Sequence, residues 1–292
     1  MAQRTGFYKR LRDWLKTGSL RKVSKVAYIT LTELELLLMR AADRLTCKRD
    51  PHARLAVDKA TIIIKSFERP KSLLRLIKSI QHHYPGIKIV VADDSATPPQ
   101  LPDNVELIQL AFNSGISRGL NAALARVESE YTVRLDDDMY ICRKTRIGAI
   151  IAFMEECRRV DLCGFRYINV PLELRKSAKK QFREYLSYKL EPAKVAETRG
   201  TAIGDFTVME KVPNIYVART GKLREVAWDD NIRMIDHHDF FCRAKGVIVS
   251  AYSTDFVLWH LRTPYNLKYM RYRMDFAKDM LYIRTRNAKK KV

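Results

Sequence analysis

The residues best able to do chemistry are carboxylates placed at the ends of apolar runs. Asp136-Asp137-Asp138 follows the run 131–135. Three adjacent carboxylates repel one another and need a compensating cation. Hard divalent ions such as Mg2+ or Mn2+ take oxygen ligands and often share them with substrate phosphates. In isolation the triplet would read as an acidic turn or a helix N-cap; its place after an apolar strand, in a chain of net charge +21, points to a metal and diphosphate site. Asp93-Asp94-Ser95 closes a second apolar run, 87–92, where an acidic side chain can take ribose hydroxyls or a base N–H; turn chemistry accounts for the same residues. In Asp236-His237-His238-Asp239-Phe240-Phe241, two His between two Asp precede a helical stretch and offer a general base. His260, after 256–259, reads by default as a packed histidine and in its sharper form as a metal ligand.

These groups need a scaffold that brings strand ends together. The run 60–64 is rich in β-branched residues and leads into Lys65-Ser66-Phe67-Glu68-Arg69-Pro70, after which Leu73, Leu74, Ile77 and Ile80 recur at helical spacing up to Pro85. Strands follow at 87–92, at 105–110 ahead of Asn113-Ser114-Gly115, and at 131–135, with a helix over 117–127. Alternating strands and helices imply an α/β fold with a mostly parallel, doubly wound sheet, and ligands of such sheets bind beyond the carboxyl ends of the strands. Further on, the pattern predicts a helix over 145–157, a strand near 162–168 and short strands at 206–209, 215–218 and 247–252, with a basic segment, 175–199, that lacks strand character. No G-x-G-x-x-G follows the first strand and no G-x-x-x-x-G-K-[ST] occurs, which counts against dinucleotide oxidoreductases and P-loop NTPases.

Composition sets the outer bounds. At 47% hydrophobic and 10% aromatic the chain is not a disordered one, although 30% of it is charged. Its five cysteines are scattered and never spaced as C-x-x-C, which fits a reduced, cytoplasmic compartment and neither a disulfide framework nor a structural zinc site. The basicity sits at the ends: +7 over residues 1–50, +8 over 261–292 and +6 over the 210 residues between. No uninterrupted apolar stretch approaches the ~18–20 residues of a membrane-spanning helix; the best, 28–39, is broken by Glu33 and Glu35. The N-terminus does not read as a signal peptide, since its basic and apolar residues alternate. Phe7, Leu11, Trp14 and Leu15 share one helical face while Lys9, Arg10, Arg12 and Lys16 cover the others, a pattern suited to an anionic membrane surface and equally to a helix packed on the protein body. Nucleic acid is not expected as a partner, because no helix-turn-helix, zinc-finger or RNP signature is present.

The ordered segments Thr61-Ile62-Ile63-Ile64-Lys65-Ser66-Phe67-x-Arg69-Pro70, Val91-Ala92-Asp93-Asp94-Ser95, Leu135-Asp136-Asp137-Asp138-Met139 and Val217-Ala218-Arg219-Thr220-x-Lys222-x-Arg224-Glu225-Val226 resemble the inverting nucleotide-sugar glycosyltransferases of the GT-A fold. The likeness is greatest to the β-1,4-N-acetylgalactosaminyltransferase (GM2/GD2 synthase-like) family and its bacterial family 2 relatives. It covers about residues 58–262, leaving a basic helical extension at 1–57 and a basic helical tail at 263–292. The resemblance implies that Lys65, Ser66, Phe67, Arg69, Asn113 and Gly115 line a nucleotide pocket and that Asp93 and Asp94 hold uracil and ribose. It further implies that Asp136 and Asp137 face the ribose and diphosphate, and that Asp138 and His260 bind Mn2+ or Mg2+. Asp239 is then the base, with Asp236 as its rival; the acidic residue before Phe-Phe is usually Glu in the animal enzymes. Asn214 and His237 would belong to the donor or acceptor pocket. The activity implied is transfer, with inversion, of a sugar (N-acetylgalactosamine foremost) from a UDP-sugar to a hydroxyl of a glycan or lipid-linked glycan. That would suit bacterial surface polysaccharide synthesis by an enzyme peripheral on the inner face of the plasma membrane. A metal-dependent nucleotidyltransferase and a noncatalytic membrane- or nucleic-acid-binding protein are the expectations from other classes.

Overall fold

The computed structural model describes residues 18–171, 199–272 and 276–289. Two helices, α1 (Arg21–Thr46) and α2 (Ala53–Lys59), precede strand β1 (Ala60–Ser66). Ile62, Ile63 and Ile64 of β1 are all fully buried, as a strand covered on both faces requires. Because side chains alternate across a strand, Ile62 and Ile64 enter one core with Leu73, Leu76, Ile77 and Ile80 of α3 (Pro70–His83), while Ile63 enters another. Pro70 opens α3, where its missing N–H costs nothing.

β1 pairs in parallel with β2 (Lys88–Asp93), and β2 with β3 (Glu106–Gln109). After α4 (Ile116–Ala125), which supplies Leu120, Ala123 and Leu124 to the second core, β4 (Tyr131–Asp136) pairs in parallel on the other side of β1. The register sets Ser66 opposite Asp93 and Lys65 opposite Asp136. Three neighbouring strands therefore end on one line, and the polar residues at their carboxyl ends meet there.

The other half of the sheet is mixed. β5 (Met139–Ile141), α5 (Ile147–Glu156), β6 (Leu162–Val170), β7 (Ala202–Ile203), β8 (Phe206–Val208) and β9 (Tyr216–Arg219) lead to α6 (Thr220–Val226) and α7 (Asp236–Ala244), then β10 (Ser250–Leu261), α8 (Leu267–Tyr272) and α9 (Phe276–Lys289). The strand order is β3-β2-β1-β4-β9-β6-β10-β8-β7, with β5 on β10. β9 runs antiparallel between β4 and β6, whereas β6 and β10 are parallel. The doubly wound α/β expectation thus holds in the parallel half, and the antiparallel insertion of β9 places the residues after it beside β4.

The short strand expected at 247–252 is the start of the twelve-residue β10, whose register shifts between Tyr252 and Val257. The exposed Thr254 and Asp255 in that irregularity interrupt the apolar pattern and hide the strand's continuation to His260. α2 straddles the expected domain start at 58, and its Ala56 is fully buried in the main core. Residues 7–15 and most of 175–199, singled out in the sequence, lie outside the described residues. Among the described residues no helix is long and apolar enough to cross a membrane.

Candidate active site

The strand ends open into a cleft of about 380 Å3. At one end Lys65 extends from β1 and donates through Nζ to the Asp94 carboxylate and to the Ser66 carbonyl, 2.7 Å away. Its aliphatic stem passes over Gly119 of α4, where a Cβ would stand 2.1 Å from Lys65 Cδ. Asp94 Oδ2 accepts the Gly115 N–H at 2.9 Å. Gly115 has φ +101°, and a Cβ there would meet the Arg233 backbone at 3.0 Å, so the position requires glycine on both counts. Asn113 donates its N–H to the Asp94 carbonyl at 2.9 Å, and the Arg233 guanidinium donates to the Asn113 carbonyl. The 113–115 loop is thereby fastened to Asp94 and Arg233. Phe67 contributes an aromatic wall, with ring centroids 5.7 Å from Phe112 and 5.3 Å from Tyr272, a surface on which a planar base can stack.

Ser66 and Asp93 do not line this cleft. Ser66 is buried at the end of β1, and Asp93 accepts the Ser95 N–H at 2.9 Å and its hydroxyl at 3.0 Å. Asp93 therefore works as the turn former, and Asp94 alone of the pair faces the cleft. That corrects the expectation for both residues.

At the acidic end the chain supplies its own cation. Arg69 donates through Nη1 to Asp138 Oδ2 at 2.5 Å and through Nε to Asp137 Oδ2 at 3.2 Å, with a further bond to Asp137 Oδ1. His260, at the end of β10, places Nε2 3.2 Å from Asp138 Oδ2. Its Nδ1 stands 2.8 Å from Asn169 Oδ1, an atom that only accepts, so Nδ1 carries a proton. Burial alone would raise the Asp138 carboxyl, but the charges of Arg69 and His260 outweigh it and hold the group below the usual carboxylate range. Burial disfavours charge on His260, and Asp138 more than offsets this and raises it.

Asp138 and His260 are the side chains that would hold a divalent ion: Asp138 Oδ2 and His260 Nε2 stand 3.2 Å apart, near the about 3 Å between two cis ligands of an octahedral ion with bonds of about 2.1 Å, and Asn169 orients the ring so that Nε2 faces Asp138. The same Oδ2 accepts from Arg69 Nη1, so an ion there would displace that bond. Among the described residues no three His, Cys, Asp or Glu side chains gather to hold an ion unaided, so the remaining ligands would come from phosphate oxygens and water.

The base candidates separate cleanly. Asp236 lines the cleft at the start of α7, is buried, and accepts from Asn214 Nδ2 at 3.1 Å. Burial raises its carboxyl above the ordinary value, against the lowering effects of Arg134 and Asn214. His237 also lines the cleft; burial pushes it down to about 3, and the neutral ring donates from Nε2 to the Val212 carbonyl at 2.8 Å. Asp239, the expected base, is outside the cleft. Its Oδ2 accepts from Arg243 Nε at 2.7 Å and its Oδ1 from Arg286 of α9, and it faces a separate hollow with those two arginines. Of the two base candidates, Asp236 alone lines the cleft that the other expected site residues share.

Several site residues escaped the sequence patterns. Arg134 is fully buried beneath Asp136 and Asp236. Tyr269 and Tyr272 of α8 close the aromatic end, and Asp279 of α9 accepts the backbone N–H of Arg233, Met234 and Ile235. The last three lie in the tail that the resemblance leaves out, and only the Tyr and Asp types themselves marked them.

The family model described as Glycosyl transferase family 2 matches residues 61–215, more than half of the chain. The chain belongs to glycosyl transferase family 2. Among curated relatives of this family 2 protein, mouse "Beta-1,4 N-acetylgalactosaminyltransferase 2" is 29% identical over 215 residues, covering 70% of this chain and 40% of that one. Human "Beta-1,4 N-acetylgalactosaminyltransferase 1" is 28% identical over 240 residues, covering 75% and 44%. The chain thus spans less than half the length of these relatives. Staphylococcus aureus TarS 1-349 in complex with UDP-GlcNAc superposes with a TM-score of 0.53 at 18% identity, over 70% of this chain and 59% of that one. The fold is GT-A-like.

Proposed function

We propose that this family 2 protein transfers a sugar, with inversion, from a UDP-sugar to a hydroxyl of a glycan or lipid-linked glycan, with Asp236 as general base. The observation that carries this is the placement of Asp236 in one cleft with Asp94, Phe67 and the Asp138–His260 pair. A nucleotide base stacks on Phe67 and Tyr272, Asp94 accepts from ribose or base, and Lys65 and Arg69 balance the phosphates. Asp138 and His260 would hold Mn2+ or Mg2+, which when bound would neutralise charge developing on a leaving diphosphate. The Asp236 carboxylate removes the acceptor proton as the oxygen attacks the anomeric carbon from the face opposite UDP; the new C–O bond forms while the bond to UDP breaks. General-base assistance of this kind contributes about 10²–10⁴-fold, and the raised Asp236 carboxyl moves it toward neutral pH, where a base is more effective.

The TarS complex supports a UDP-sugar donor, and the names of the animal relatives support N-acetylgalactosamine as its sugar. The catalytic unit is taken as 58–262 with Tyr269 and Tyr272 of α8 added to it, and the excess of Lys and Arg at both ends favours a peripheral place on the inner face of the plasma membrane, in surface polysaccharide synthesis. UDP release measured across a set of UDP-sugars, with and without Mn2+, tests the reading. Asp236→Asn should keep UDP affinity and lose about 10²–10⁴-fold in transfer; undiminished transfer removes the base, and pyrophosphate in place of UDP as product assigns nucleotidyl transfer instead.

A further inference from the structure

Helix α1 carries an apolar face that no other described residue covers. Val23, Val26, Leu31, Leu34, Leu37, Leu38 and Leu45 are between 53% and 87% exposed, and Ala27 and Ala41 are exposed among them. At 100° per residue these positions fall within an arc of about 140°.

The helix is not loosely attached. Its opposite face buries Leu36 against Val170, Val257, Trp259 and Leu261, and Thr32 is buried beside it. Tyr28 packs on Tyr265 at 5.5 Å, Glu33 pairs with Arg75 at 2.5 Å, and Asp43 accepts the Arg143 N–H at 3.0 Å. These contacts fix the rotation of α1, and so the apolar arc must face outward.

We infer that this outer face of α1 is a docking surface for an anionic lipid bilayer. Three observations favour lipid over a second copy of the chain. The arc is wider than the a/d seam of a coiled coil. Lys22, Arg40 and Arg44 flank it along one edge, where Glu33 is paired with Arg75, so the edge stays net basic; two antiparallel copies joined through α1 would bring like charges together, whereas anionic headgroups complement them. Residues 1–50 carry +7, which adds to the attraction of anionic headgroups.

The other side of α1 gives this surface a purpose. A groove of about 770 Å3, lined by Arg21, Lys25 and Tyr28 of α1, by Arg262, and by Arg69 and Asp138 of the cleft, runs between the helix and the active site. With the outer face of α1 in the headgroup layer, this groove lies about one helix diameter, roughly 10 Å, from the bilayer. A lipid-linked acceptor could stay anchored while its sugar hydroxyl reaches the cleft. This consequence rests on the transferase reading, and the docking surface itself does not.

The test is flotation of the full chain with vesicles of one part phosphatidylglycerol to two parts phosphatidylcholine, with UDP affinity measured by calorimetry in parallel. The wild-type chain should float, less so at high salt, and not with phosphatidylcholine alone. Leu34→Glu with Leu38→Glu should reduce the floating fraction roughly tenfold or more, leave UDP affinity unchanged and leave the protein monomeric in light scattering; Leu34→Met with Leu38→Met should float like the wild type. If the double Glu variant misfolds, Leu45→Glu at the exposed helix end replaces it. Undiminished flotation of the Glu variants overturns the inference, as does a wild-type dimer that fails to float and becomes a monomer on Leu34→Glu with Leu38→Glu. Normal flotation without any UDP binding would support the docking surface while removing the transferase reading.

Discussion

The guanidinium of Arg134 lies 3.8 Å from the carboxylate of Asp236, with both side chains buried at the floor of the cleft. The same guanidinium is 2.9 Å from Asp136 Oδ1. One strand residue thus sets the charge balance between the acidic cluster at the end of β4 and the proposed base. Arg134 lowers the Asp236 carboxyl against the raising effect of burial, so Arg134→Met should raise it further. The reactive form of a base is the deprotonated one, and the acid limb of the transfer rate should therefore shift to higher pH. Leaving two carboxylates without their buried partner should also cost about 3–5 kcal/mol of stability. Arg134→Lys should recover part of the pH shift. A pH profile of kcat/KM beside thermal unfolding checks both; an unmoved acid limb would separate Arg134 from the base.

Asp239 should behave in the opposite way. Its carboxylate is held by Arg243 of its own helix and by Arg286 of α9, and so it ties the C-terminal helix to the body. Asp239→Asn should lower stability by about 1–3 kcal/mol, the range for hydrogen bonds to charged groups, and leave the acid limb of the rate profile in place. A loss of turnover like that of Asp236→Asn, without a change in melting temperature, would return the base to Asp239.

The contrast between these two aspartates shows what the sequence could carry. β1, β2, β4 and the helices between them were legible because Ile62, Ile63, Ile64 and Val91 sit in strands buried on both faces and bounded by polar ends, and Leu73, Ile77 and Ile80 keep a helical period. The grouping of Lys65, Arg69, Asp94 and Asp136 followed, since parallel neighbours end on one line. What spacing cannot give is which of two carboxylates, three residues apart on one helix, faces the ligand. That depends on arginines 4 and 47 residues further along. Likewise Asp93 and Asp94 are equivalent in type, and only the hydroxyl and N–H of Ser95 decide that the first is spent on the turn. Arg134 reads as an irregularity in a strand until its two partners are placed in space.

Gly119 should prove as necessary as the charged groups. The Lys65 stem occupies the space where its side chain would be, and Lys65 Nζ is pinned to Asp94. Gly119→Ala cannot keep both, so Lys65 must leave Asp94, loosening the 113–115 loop that Asp94 holds. UDP affinity should fall about tenfold, as for Lys65→Met, and the double variant should be no worse than either single one because both break the same contact. Calorimetric titration with UDP measures all three; strictly additive losses would show that Gly119 acts elsewhere.

Asn169 should matter to metal binding through His260. It accepts the Nδ1 proton at 2.8 Å and so fixes the ring with Nε2 toward Asp138. Asn169→Leu removes the acceptor, lets the ring turn or change tautomer, and should weaken Mn2+ binding about 10–100-fold, the usual effect of losing the outer partner of a metal-ligating histidine. Asn169→Asp should restore it, because a carboxylate accepts the same proton. The titration is best followed by the paramagnetic signal of free Mn2+, in the presence of UDP, which would complete the ligand set. Since the proposed UDP contacts at Phe67 and Asp94 lie at the other end of the cleft, affinity for UDP without metal should be unchanged in both variants. Equal Mn2+ affinity in wild type and Asn169→Leu would remove His260 from the ligand set.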